Sequence, residues 1–490
     1  MVARRDYFTV DQVRAAEAEL FTRVPDGVPM RRAAFGLARV VADELRSRTG
    51  GLVGRSVGLL VGSGDNGGDG LWAGAMLRRR GVAVQAVLLN PERAHARGLG
   101  AFRQAGGRVV DRLGEVDVVV DAIVGISGKG PLRPAAAEMV AAVDVPIISA
   151  DLPSGVDPDT GAIEGPAVRA DVTATFGAYK PVHALAAASC GRIVLVPIGL
   201  QLPAPALAQL DPAEVGARWP VPGAFDDKYS QGVTGVCAGS SKYPGAGVLC
   251  TGAAVAATSG MVRYAGSDTE VVKHLPEVVA APNIHETGRV QAWVFGPGVG
   301  LDARDGLARI LATDLPVVVD ADGLSILAHE PDLVRDRRAP TVLTPHAGEF
   351  ARLTGAALGP DRVTAVRRLA EQWGVTVLLK GRATVIATPG ETTLVNDAGA
   401  SWAATAGSGD ILAGIIGALL AAGKPPTWAA AAAARVHALA ANLAAHDART
   451  AGAPISATPL LNHVRPAVRL LRELAPTREP QGTQAPLSAR

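Results

Sequence analysis

The residues from Thr405 to Gly414, TAGSGDILAG, combine a glycine-rich turn with the start of an apolar helical run. The free backbone N–H groups of Gly407, Ser408 and Gly409 in such a turn would face an incoming phosphate, and the helix dipole would favour its charge. Asp410 would oppose that phosphate, which is useful if its carboxylate takes a proton from a hydroxyl that accepts a phosphoryl group. The alternative is that Asp410 only complements the helix dipole and that the glycines serve the turn.

A second glycine-rich segment, Gly62 to Gly70, has the sequence GSGDNGGDG and lies between a strand candidate, Ser56 to Val61, and a helical run, Leu71 to Arg80. Its glycines would let the backbone approach a phosphate, and Asn66 and Asp69 add side-chain oxygens. The spacing fits neither a Walker loop nor the dinucleotide fingerprint. The alternative is a turn whose glycines need positive φ.

Two further loops of the first half, Asp121 to Arg133 and Ala150 to Gly161, also follow strand candidates. Asp121, Asn66 and Ser154 could together supply hard oxygen ligands. Because a tight divalent site usually gathers more carboxylates, this set favours a monovalent cation.

Three polar residues at other strand ends could also take part in chemistry. Asp151 is the best-placed carboxylate for proton transfer in the first half; its alternative role is to cap the turn at Pro153. In the second half, His346 is the only histidine in a strand-end loop, and its alternative is a surface or capping role. Lys380, followed by Gly381, could meet a phosphate or could simply be a solvated strand end.

The elements that must position these residues alternate along the first half. Helices are predicted at Val10 to Arg23 and Met30 to Arg48. Strands are predicted at Ser56 to Val61, Val82 to Leu89, Asp117 to Asp121, Pro146 to Ala150, Asp171 to Phe176 and Ile193 to Ile198. This alternation predicts a mostly parallel sheet with helices on both faces, which places ligands at the carboxyl ends of the strands.

The second half repeats the α/β rhythm. Strands are predicted at Gly235 to Ala238, Ala292 to Phe295, Pro316 to Asp320, Thr341 to Leu343, Val375 to Leu379 and Thr384 to Ala387, with helices at Ile411 to Ala422 and Trp428 to His446. The proline- and alanine-rich composition between the halves predicts a linker. We therefore expect domains at 1–210 and 227–475, a linker at 211–226 and a disordered tail at 476–490.

Composition bounds the class of protein. The chain has 490 residues, of which 48% are hydrophobic, and so exceeds one ordinary core. A formal charge of +2 with scattered basic residues indicates neither nucleic-acid nor membrane binding. Cys190, Cys237 and Cys250 lack metal-ligand spacing and are odd in number, which favours a reducing compartment. The chain start has no apolar signal segment, and the longest apolar run, Ile411 to Gly423, is too short to span a bilayer. We expect a soluble, cytoplasmic protein.

The motifs GSGDNGGDG, DAIVG, DLPSGVDPDTG and TFGAYK together resemble the epimerase domain of NAD(P)H-hydrate repair proteins, over about Val10 to Leu200. The resemblance implies a Rossmann-like three-layer α/β fold, potassium held by Asn66, Asp121 and Ser154, and a catalytic or anchoring role for Asp151. Contacts with the substrates NADHX and NADPHX are implied for Asp65, Asn66, Gly67, Gly68, Asp69, Gly125, Ile126, Ser127, Gly128, Lys129, Gly130, Pro131 and Asp151. The chain departs from the family at Asp65, where a second asparagine is usual, and in GISGKG, which varies a Gly-Thr-Gly pattern.

The ordered motifs GPGVG, DADGL, TPHAGE, LKG and TAGSGDILAG are similar to the ADP-dependent NAD(P)H-hydrate dehydratase domain, which has a ribokinase-like fold, over about Phe225 to Arg472. The resemblance implies substrate contacts for Ala254, Gly298, His346 and Asp410. Nucleotide contacts are implied for Lys380, Gly381, Arg382, Ala383, Thr384, Ala400, Ser401, Thr405, Ala406, Gly407, Ser408 and Gly409. Departures occur at Ala406, where a glycine is common, and at Asp227, where a histidine is frequent.

The chemistry that this resemblance implies is phosphorylation followed by elimination. A proton would pass from the hydroxyl on carbon 6 of the hydrated nicotinamide ring to Asp410, that oxygen would take a phosphoryl group from ADP, and loss of phosphate would restore NAD(P)H. Magnesium is expected because phosphoryl transfer normally uses it. The epimerase domain would supply the S form that the dehydratase consumes.

Two alternatives stay open at this point, and a homo-oligomer is expected in either case. A ribokinase-like small-molecule kinase could use the same GSGD turn, but it would release a stable phosphorylated product. The first half could instead be a binding or oligomerisation module without activity.

Overall fold

The computed structural model describes residues 4–258, 260–335, 337–446 and 451–475. The chain divides into an N-terminal unit, Asp6–Ala208 with Leu358–Ala365, and a C-terminal unit, Gln209–Ala357 and Val366–Arg490 with the chain start. The predicted tail at 476–490 lies outside the described residues. Each unit is of the α/β class with a mainly parallel sheet, as the alternating pattern predicted.

The elements of the N-terminal half alternate strongly between strand and helix. In chain order they are β1 (Arg4–Tyr7), α1 (Val10–Arg23), α2 (Val28–Thr49), β2 (Ser56–Val61), α3 (Asp65–Arg78), β3 (Ala83–Leu88), α4 (Ala96–Gln104), β4 (Arg108–Val109), β5 (Val118–Ala122), α5 (Pro134–Ala141), β6 (Ile147–Ala150), β7 (Val172–Phe176), α6 (Val182–Leu185), α7 (Ala187–Cys190) and β8 (Arg192–Val196). In the described residues, β2 to β8 form a parallel sheet in the order β4-β3-β2-β5-β6-β7-β8. The six predicted strands are confirmed.

Side chains of successive strand residues point to opposite faces of the sheet. Both faces are apolar, and helices cover both of them. On one face, Leu59 and Val61 of β2 pack in a cluster with Leu37 of α2 and Leu71 of α3. On the other face, Leu60 belongs to a separate buried cluster around α5. The continuous apolar run of β2 is what a parallel strand that is buried on both sides requires.

The segment from 62 to 70 is not a loop throughout, because α3 begins at Asp65. Of its glycines, only Gly64 has a positive φ, of +88°. Gly67 and Gly70 permit close packing instead: an added Cβ would lie 2.2 Å from the Gly62 carbonyl oxygen and 2.6 Å from Ala122 Cβ, respectively. The prediction that helix begins only at residue 71 is therefore wrong by six residues.

The C-terminal half contains the second sheet. Its elements are β9 (Leu207–Leu210), α8 (Pro212–Arg218), β10 (Val233–Cys237), α9 (Pro244–Ala257), β11 (Met261–Ala265), α10 (Glu270–His274), β12 (Val279–Ala281), β13 (Ala292–Phe295), α11 (Arg304–Leu311), β14 (Val317–Val319), α12 (Asp322–His329), α13 (Asp332–Arg335), β15 (Thr341–Leu343), α14 (Ala347–Thr354), α15 (Arg362–Trp373), β16 (Thr376–Leu379), β17 (Ala383–Ala387), β18 (Thr393–Asp397), α16 (Ser408–Ala421), α17 (Pro426–Ala445), α18 (Ala457–Asn462) and α19 (Val464–Glu473). Across the described residues the strand order is β1-β9-β18-β17-β16-β15-β14-β13-β10-β11-β12. Strands β10 to β16 pair in parallel, and the pairs β16–β17 and β17–β18 are antiparallel.

Helix α16 is apolar all round because it is buried all round. An added Cβ at Gly414 would lie 2.2 Å from the Cys250 carbonyl oxygen of α9, and one at Gly417 would lie 2.1 Å from a Val294 methyl of β13. This packing holds the start of α16 against the sheet. In the part of the chain that the structure describes, no helix is long and apolar enough to cross a membrane.

The segment 211–226 contains a regular element that its composition did not predict. Helix α8 occupies Pro212–Arg218, with Asp211 as its N-cap and Pro212 at its first position. Val215 and Trp219 are buried. The domain boundaries and the linker stay predictions, with a short helix inside the predicted linker.

Candidate functional site

The N-terminal unit has a cavity of about 780 Å³ where β2, β5 and β6 end. The residues that follow these strands line it, as expected for the carboxyl edge of a parallel sheet. Its lining includes Asn66 and Asp69 of α3, Ser127 of the loop after β5, and Asp151 directly after β6.

Asp121, at the end of β5, is fully buried and accepts four hydrogen bonds. Ser154 donates twice, from its backbone N at 2.9 Å and from its Oγ at 2.6 Å. The Ser154 Oγ also lies 3.4 Å from the Val124 carbonyl oxygen. Burial raises the pKa of Asp121, and the hydrogen bonds partly oppose this rise. A carboxylate, a hydroxyl and a carbonyl group thus place hard oxygen atoms close together beside the cavity.

Asp151 is buried and adopts φ +72°, a conformation that is strained for a residue other than glycine. Its carboxylate forms an ion pair with the buried Lys180 ammonium and accepts from the Phe176 backbone N at 3.2 Å. Lys180 Nζ also donates to Thr175 Oγ1 and to the Phe176 carbonyl oxygen, each at 3.0 Å. Strain held in place at a cavity by a buried ion pair is characteristic of a functional site.

His183 forms hydrogen bonds with the backbone of both residues of this ion pair. Burial, followed by the Lys180 charge, lowers the pKa of His183 to about 3, so the imidazole is neutral. Its Nδ1 accepts from the Lys180 backbone N at 2.9 Å, which leaves Nε2 to donate to the Asp151 carbonyl oxygen at 3.1 Å.

A second carboxyl group, Asp69, is buried in the same cavity. Its Oδ1 has no hydrogen-bond partner among the described residues. Burial raises the pKa of Asp69 well above its usual value, and the charges of Asp151, Asp65 and Glu17 add to the rise. Burial and these neighbouring charges thus favour the neutral form of the Asp69 carboxyl group.

The structure brings together part of the predicted N-terminal set. The residues that line the cavity are Asp65, Asn66, Asp69, Gly125, Ile126, Ser127 and Asp151. Gly67 and Gly68 are buried in the first turn of α3, and Gly128, Lys129, Gly130 and Pro131 lie in the loop before α5, outside the cavity lining. The sequence reasoning missed Lys180, although this residue ends the quoted motif TFGAYK.

The C-terminal unit has a cavity of about 580 Å³ between the start of α16 and the ends of β14 and β16. Lys380, directly after β16, is its central cation. The Lys380 Nζ lies 2.8 Å from Asp320 Oδ1 and 3.5 Å from Glu349 Oε2. Burial opposes the charge of Lys380, but the two carboxylates outweigh it and raise the Lys380 pKa. Asp320 also accepts from Thr344 Oγ1 at 2.8 Å.

The start of α16 faces this cation. Gly407 is the N-cap with φ +83°, and the Ser408 backbone N donates to Thr405 O at 3.3 Å. The backbone N–H groups of Gly409 and Asp410 donate to no described residue. An added Cβ at Gly409 would lie 3.3 Å from Lys380 Nζ, so a side chain at this position would crowd the ammonium group. A helix N-terminus beside an ammonium group is an anion site.

Asp410 lies in the first turn of α16 and lines the cavity. Burial, followed by the charge of Asp320, raises the pKa of Asp410 to about 7, while Lys380 opposes the rise. A carboxyl group with a pKa near the operating pH is suited to accept a proton.

His346 acts as the cap that the alternative interpretation predicted, and it also lines the cavity. Its Nδ1 accepts from the Gly348 and Glu349 backbone N atoms at 2.9 and 3.2 Å, and Glu349 Oε2 accepts from the His346 backbone N. A neutral His346 therefore carries its proton on Nε2. His437, whose pKa burial lowers to about 4, lies 2.9 Å from the Ser408 carbonyl oxygen through Nε2 and supports the turn.

Most of the predicted C-terminal residues line this cavity: His346, Lys380, Gly381, Arg382, Thr384, Ala400, Ser401, Thr405, Ala406, Ser408, Gly409 and Asp410. Ala383 is buried in β17, and Gly407 is set back as the helix cap. Ala254 is buried where α9 meets α16, and Gly298, with φ +66°, follows β13 beside Tyr243 and Ala246. Neither lines the cavity.

The sequence reasoning missed Asp320, Glu349 and His437. Asp320 and Glu349 stand in the motifs DADG and TPHAGE at strand ends, which is the signal that could have identified them. His437 lies within an alanine-rich helix, and nothing in its surroundings along the sequence indicates a supporting role.

Two family models match the chain. One, described as NAD(P)H-hydrate dehydratase, matches residues 234–461, and the other, YjeF-related protein N-terminus, matches residues 28–182. The chain is 60% identical over 474 residues to the bifunctional NAD(P)H-hydrate repair enzyme Nnr of Mycobacterium leprae, covering 95% of this chain and all of the relative. It is 62% identical over 434 residues to the protein of the same name from Mycobacterium tuberculosis strain H37Rv, covering 87% and 91% of the two chains.

Among solved structures, the chain is similar to the ADP/ATP-dependent NAD(P)H-hydrate dehydratase of Bacillus subtilis, co-crystallised with ATP and Mg²⁺. The two are 27% identical with a TM-score of 0.47, and the match covers 53% of this chain and 97% of that one.

Proposed function

The chain belongs to the family of bifunctional NAD(P)H-hydrate repair enzymes, and from this premise we propose which residues perform each reaction. The enzyme repairs hydrated nicotinamide dinucleotides by epimerisation and dehydration. In the proposal, the N-terminal cavity interconverts the R and S forms of NADHX and NADPHX. The C-terminal cavity dehydrates the S form with ADP as phosphoryl donor, giving AMP and phosphate.

The observation that carries the dehydratase assignment is the position of Asp410 at the start of α16, opposite Lys380. With a pKa of about 7, its carboxylate takes the proton of the substrate's 6-hydroxyl as that oxygen attacks the terminal phosphoryl group of ADP. The free N–H groups of Gly409 and Asp410, together with Lys380, stabilise the charge of the transferring phosphoryl group. The C6–O bond then breaks and phosphate leaves, a far better leaving group than hydroxide, while carbon 5 loses a proton and the C5=C6 double bond of NAD(P)H forms.

The donor set of this cavity fits magnesium. Mg²⁺ is usually held by one or two carboxylates and by substrate phosphates, and Asp320 and Glu349 offer two carboxylates beside the anion site. When bound, the ion would neutralise charge on the phosphates. The described residues hold no cluster of three or more acidic, histidine or cysteine groups for a metal, so the phosphates must complete the site.

The N-terminal assignment rests on Asp151. Asp151 lines the cavity, and its carboxylate is paired with the buried Lys180 ammonium group. The potassium proposal is supported by the oxygens of Asp121, Ser154 and Val124, which include a single carboxylate. Asn66 lines the same cavity and would add its side-chain oxygen. When bound, potassium would order this edge of the cavity and favour the substrate phosphates.

Paired substitutions in the full chain test both assignments. Asp410→Asn should abolish dehydration of the S form and leave epimerisation intact, and Asp151→Asn should do the reverse. Epimer ratios by chromatography and release of phosphate measure the two reactions separately. Loss of both activities from either substitution would contradict independent sites. A homo-oligomer and a cytoplasmic location belong to the same proposal, and the mass in solution tests the first.

A further inference from the structure

Helix α1 forms one wall of the N-terminal cavity. Arg14, Glu17 and Phe21 line the cavity, and their spacings of three and four residues place them on one face of the helix. Arg14 Nη2 donates to Ser127 Oγ at 3.2 Å, which ties this wall to the loop after β5. A capping box between Thr9 and Gln12 fixes the start of the helix. These contacts fix the position of α1 beside the cavity.

Glu17 is the one carboxyl group on this wall. It is half-buried, and its side chain forms no hydrogen bond or ion pair with any described residue. The titratable groups that interact electrostatically with it are Asp151, Lys180, Asp65, Asp69 and Arg14. Burial and then the Asp151 charge raise the pKa of Glu17, while Lys180 and Arg14 oppose the rise. A carboxyl group that lines the same cavity as Asp151 and has no hydrogen-bond or ion-pair partner among the described residues is available for chemistry.

Epimerisation at carbon 6 requires proton transfer on both faces of the ring. The hydroxyl on one face takes a proton from an acid and leaves as water, while the N1 lone pair forms a C6=N1 double bond. Water then adds to the other face, N1 recovers its lone pair, and a base accepts the released proton. No electron is gained or lost overall, and the two protons balance. One carboxyl group can serve only one face, so Asp151 alone is insufficient.

We propose that Glu17 is the second acid/base group of the epimerase and serves the face of the nicotinamide ring opposite to Asp151. This inference rests on the proposed function of the cavity. The reaction in one direction uses Glu17 as acid and Asp151 as base, and the reverse direction exchanges their roles. The family resemblance of the motifs assigned no role to this residue, since none of them includes α1.

The test uses the full chain with Glu17→Gln, which keeps size and polarity but cannot ionise. Its matched control is Glu19→Gln, because Glu19 lies on the same helix, its side chain is 56% exposed and it forms an ion pair with Arg23. Conversion of pure R epimer to S is followed by chromatography without nucleotide across pH 5 to 9, and dehydration of the S form with ADP is followed in parallel.

The expected result is a fall in epimerase kcat of about 100-fold or more with little change in KM, since acid–base catalysis contributes about 10² to 10⁴. The variant should also lose one limb of the parent's pH profile, Glu17→Asp should regain part of the rate, and dehydration of the S form should be unchanged. A Glu17→Gln enzyme within about threefold of the parent, or one with raised KM and unchanged kcat, would overturn the inference. A parent chain that does not convert R to S would overturn the proposed epimerase function as well.

Discussion

The Asp410→Asn substitution should make the enzyme more stable and inactive at the same time. Burial and neighbouring carboxylates raise the pKa of Asp410 from 3.8 to about 7. At any pH at which this group is ionised in the unfolded chain, its burial therefore makes folding less favourable. A shift of about three units corresponds to at most about 4 kcal/mol. Because the cavity is open to solvent, screening reduces this to roughly 1–2 kcal/mol. For a unit of this size that amounts to roughly 2–8 °C in Tm.

The sign of the pH dependence follows from the two pKa values. The folded state binds the Asp410 proton more tightly than the unfolded state, so the stability it confers is complete below about pH 4 and is lost as pH rises through about 7. Asparagine does not ionise, so the Tm advantage of the variant should be larger at pH 8 than at pH 5.

Differential scanning calorimetry of the full chain at the two pH values measures this effect, and phosphate release measures the activity. Asp332→Asn is the matched control, because Asp332 belongs to the same unit with a side chain 88% exposed. It should change stability by less than about 0.5 kcal/mol. An Asp410→Asn enzyme that is destabilised at pH 8, or that dehydrates the S form within about tenfold of the parent, would refute the reasoning.

Three further substitutions have separable outcomes. Lys180→Met leaves the Asp151 carboxylate buried without its cation, so urea denaturation should show a loss of about 3–5 kcal/mol in the N-terminal unit. Gly409→Ala places a methyl group 3.3 Å from Lys380 Nζ, so the KM for ADP should rise while epimerisation is unchanged. Ser154→Ala removes an oxygen beside the Asp121 carboxylate, so epimerisation should need more potassium for half-maximal rate in a KCl titration at constant ionic strength.

Each of these has its own control and contrary result. The control for Lys180→Met is Arg192→Met, which breaks a surface ion pair with Glu44 and should lower the free energy of unfolding by about 1 kcal/mol or less. An equal loss in these two variants would contradict the argument from the buried Asp151–Lys180 pair. The control for Gly409→Ala is Gly245→Ala, whose added carbon has no atom within 4 Å. It should leave the KM for ADP unchanged. If sodium restored the epimerisation rate of the Ser154→Ala enzyme as well as potassium does, the site would not distinguish the two cations, and the prediction of a potassium site would be contradicted.

The strands that carry the sites were predictable because buried parallel strands are short apolar runs bounded by glycine and acidic residues. β2, β13 and β15 begin and end where predicted. β11 and β12, at the far end of the second sheet, were missed because β11 mixes buried and half-buried residues and β12 is mostly exposed, so neither is a continuous apolar run.

The site was only partly predictable, for physical reasons. Asp410 and Gly409 are adjacent in the sequence, so their shared turn could be inferred from local chemistry. Asp151 and Lys180 are 29 residues apart, and only the fold brings them together. Whether a carboxyl group such as Glu17 is paired or free depends on what packs around it, which spacing along the chain does not encode.

The most direct measurement is the recovery of reduced-nicotinamide absorbance from a mixture of R and S NADHX, with the full chain and with ADP present or absent. With ADP the enzyme should recover all of the NADH, without nucleotide it should recover none, and Asp151→Asn should stop at the S fraction. Recovery by the parent that stops at the S fraction, or that proceeds without nucleotide, would contradict two sites acting in sequence.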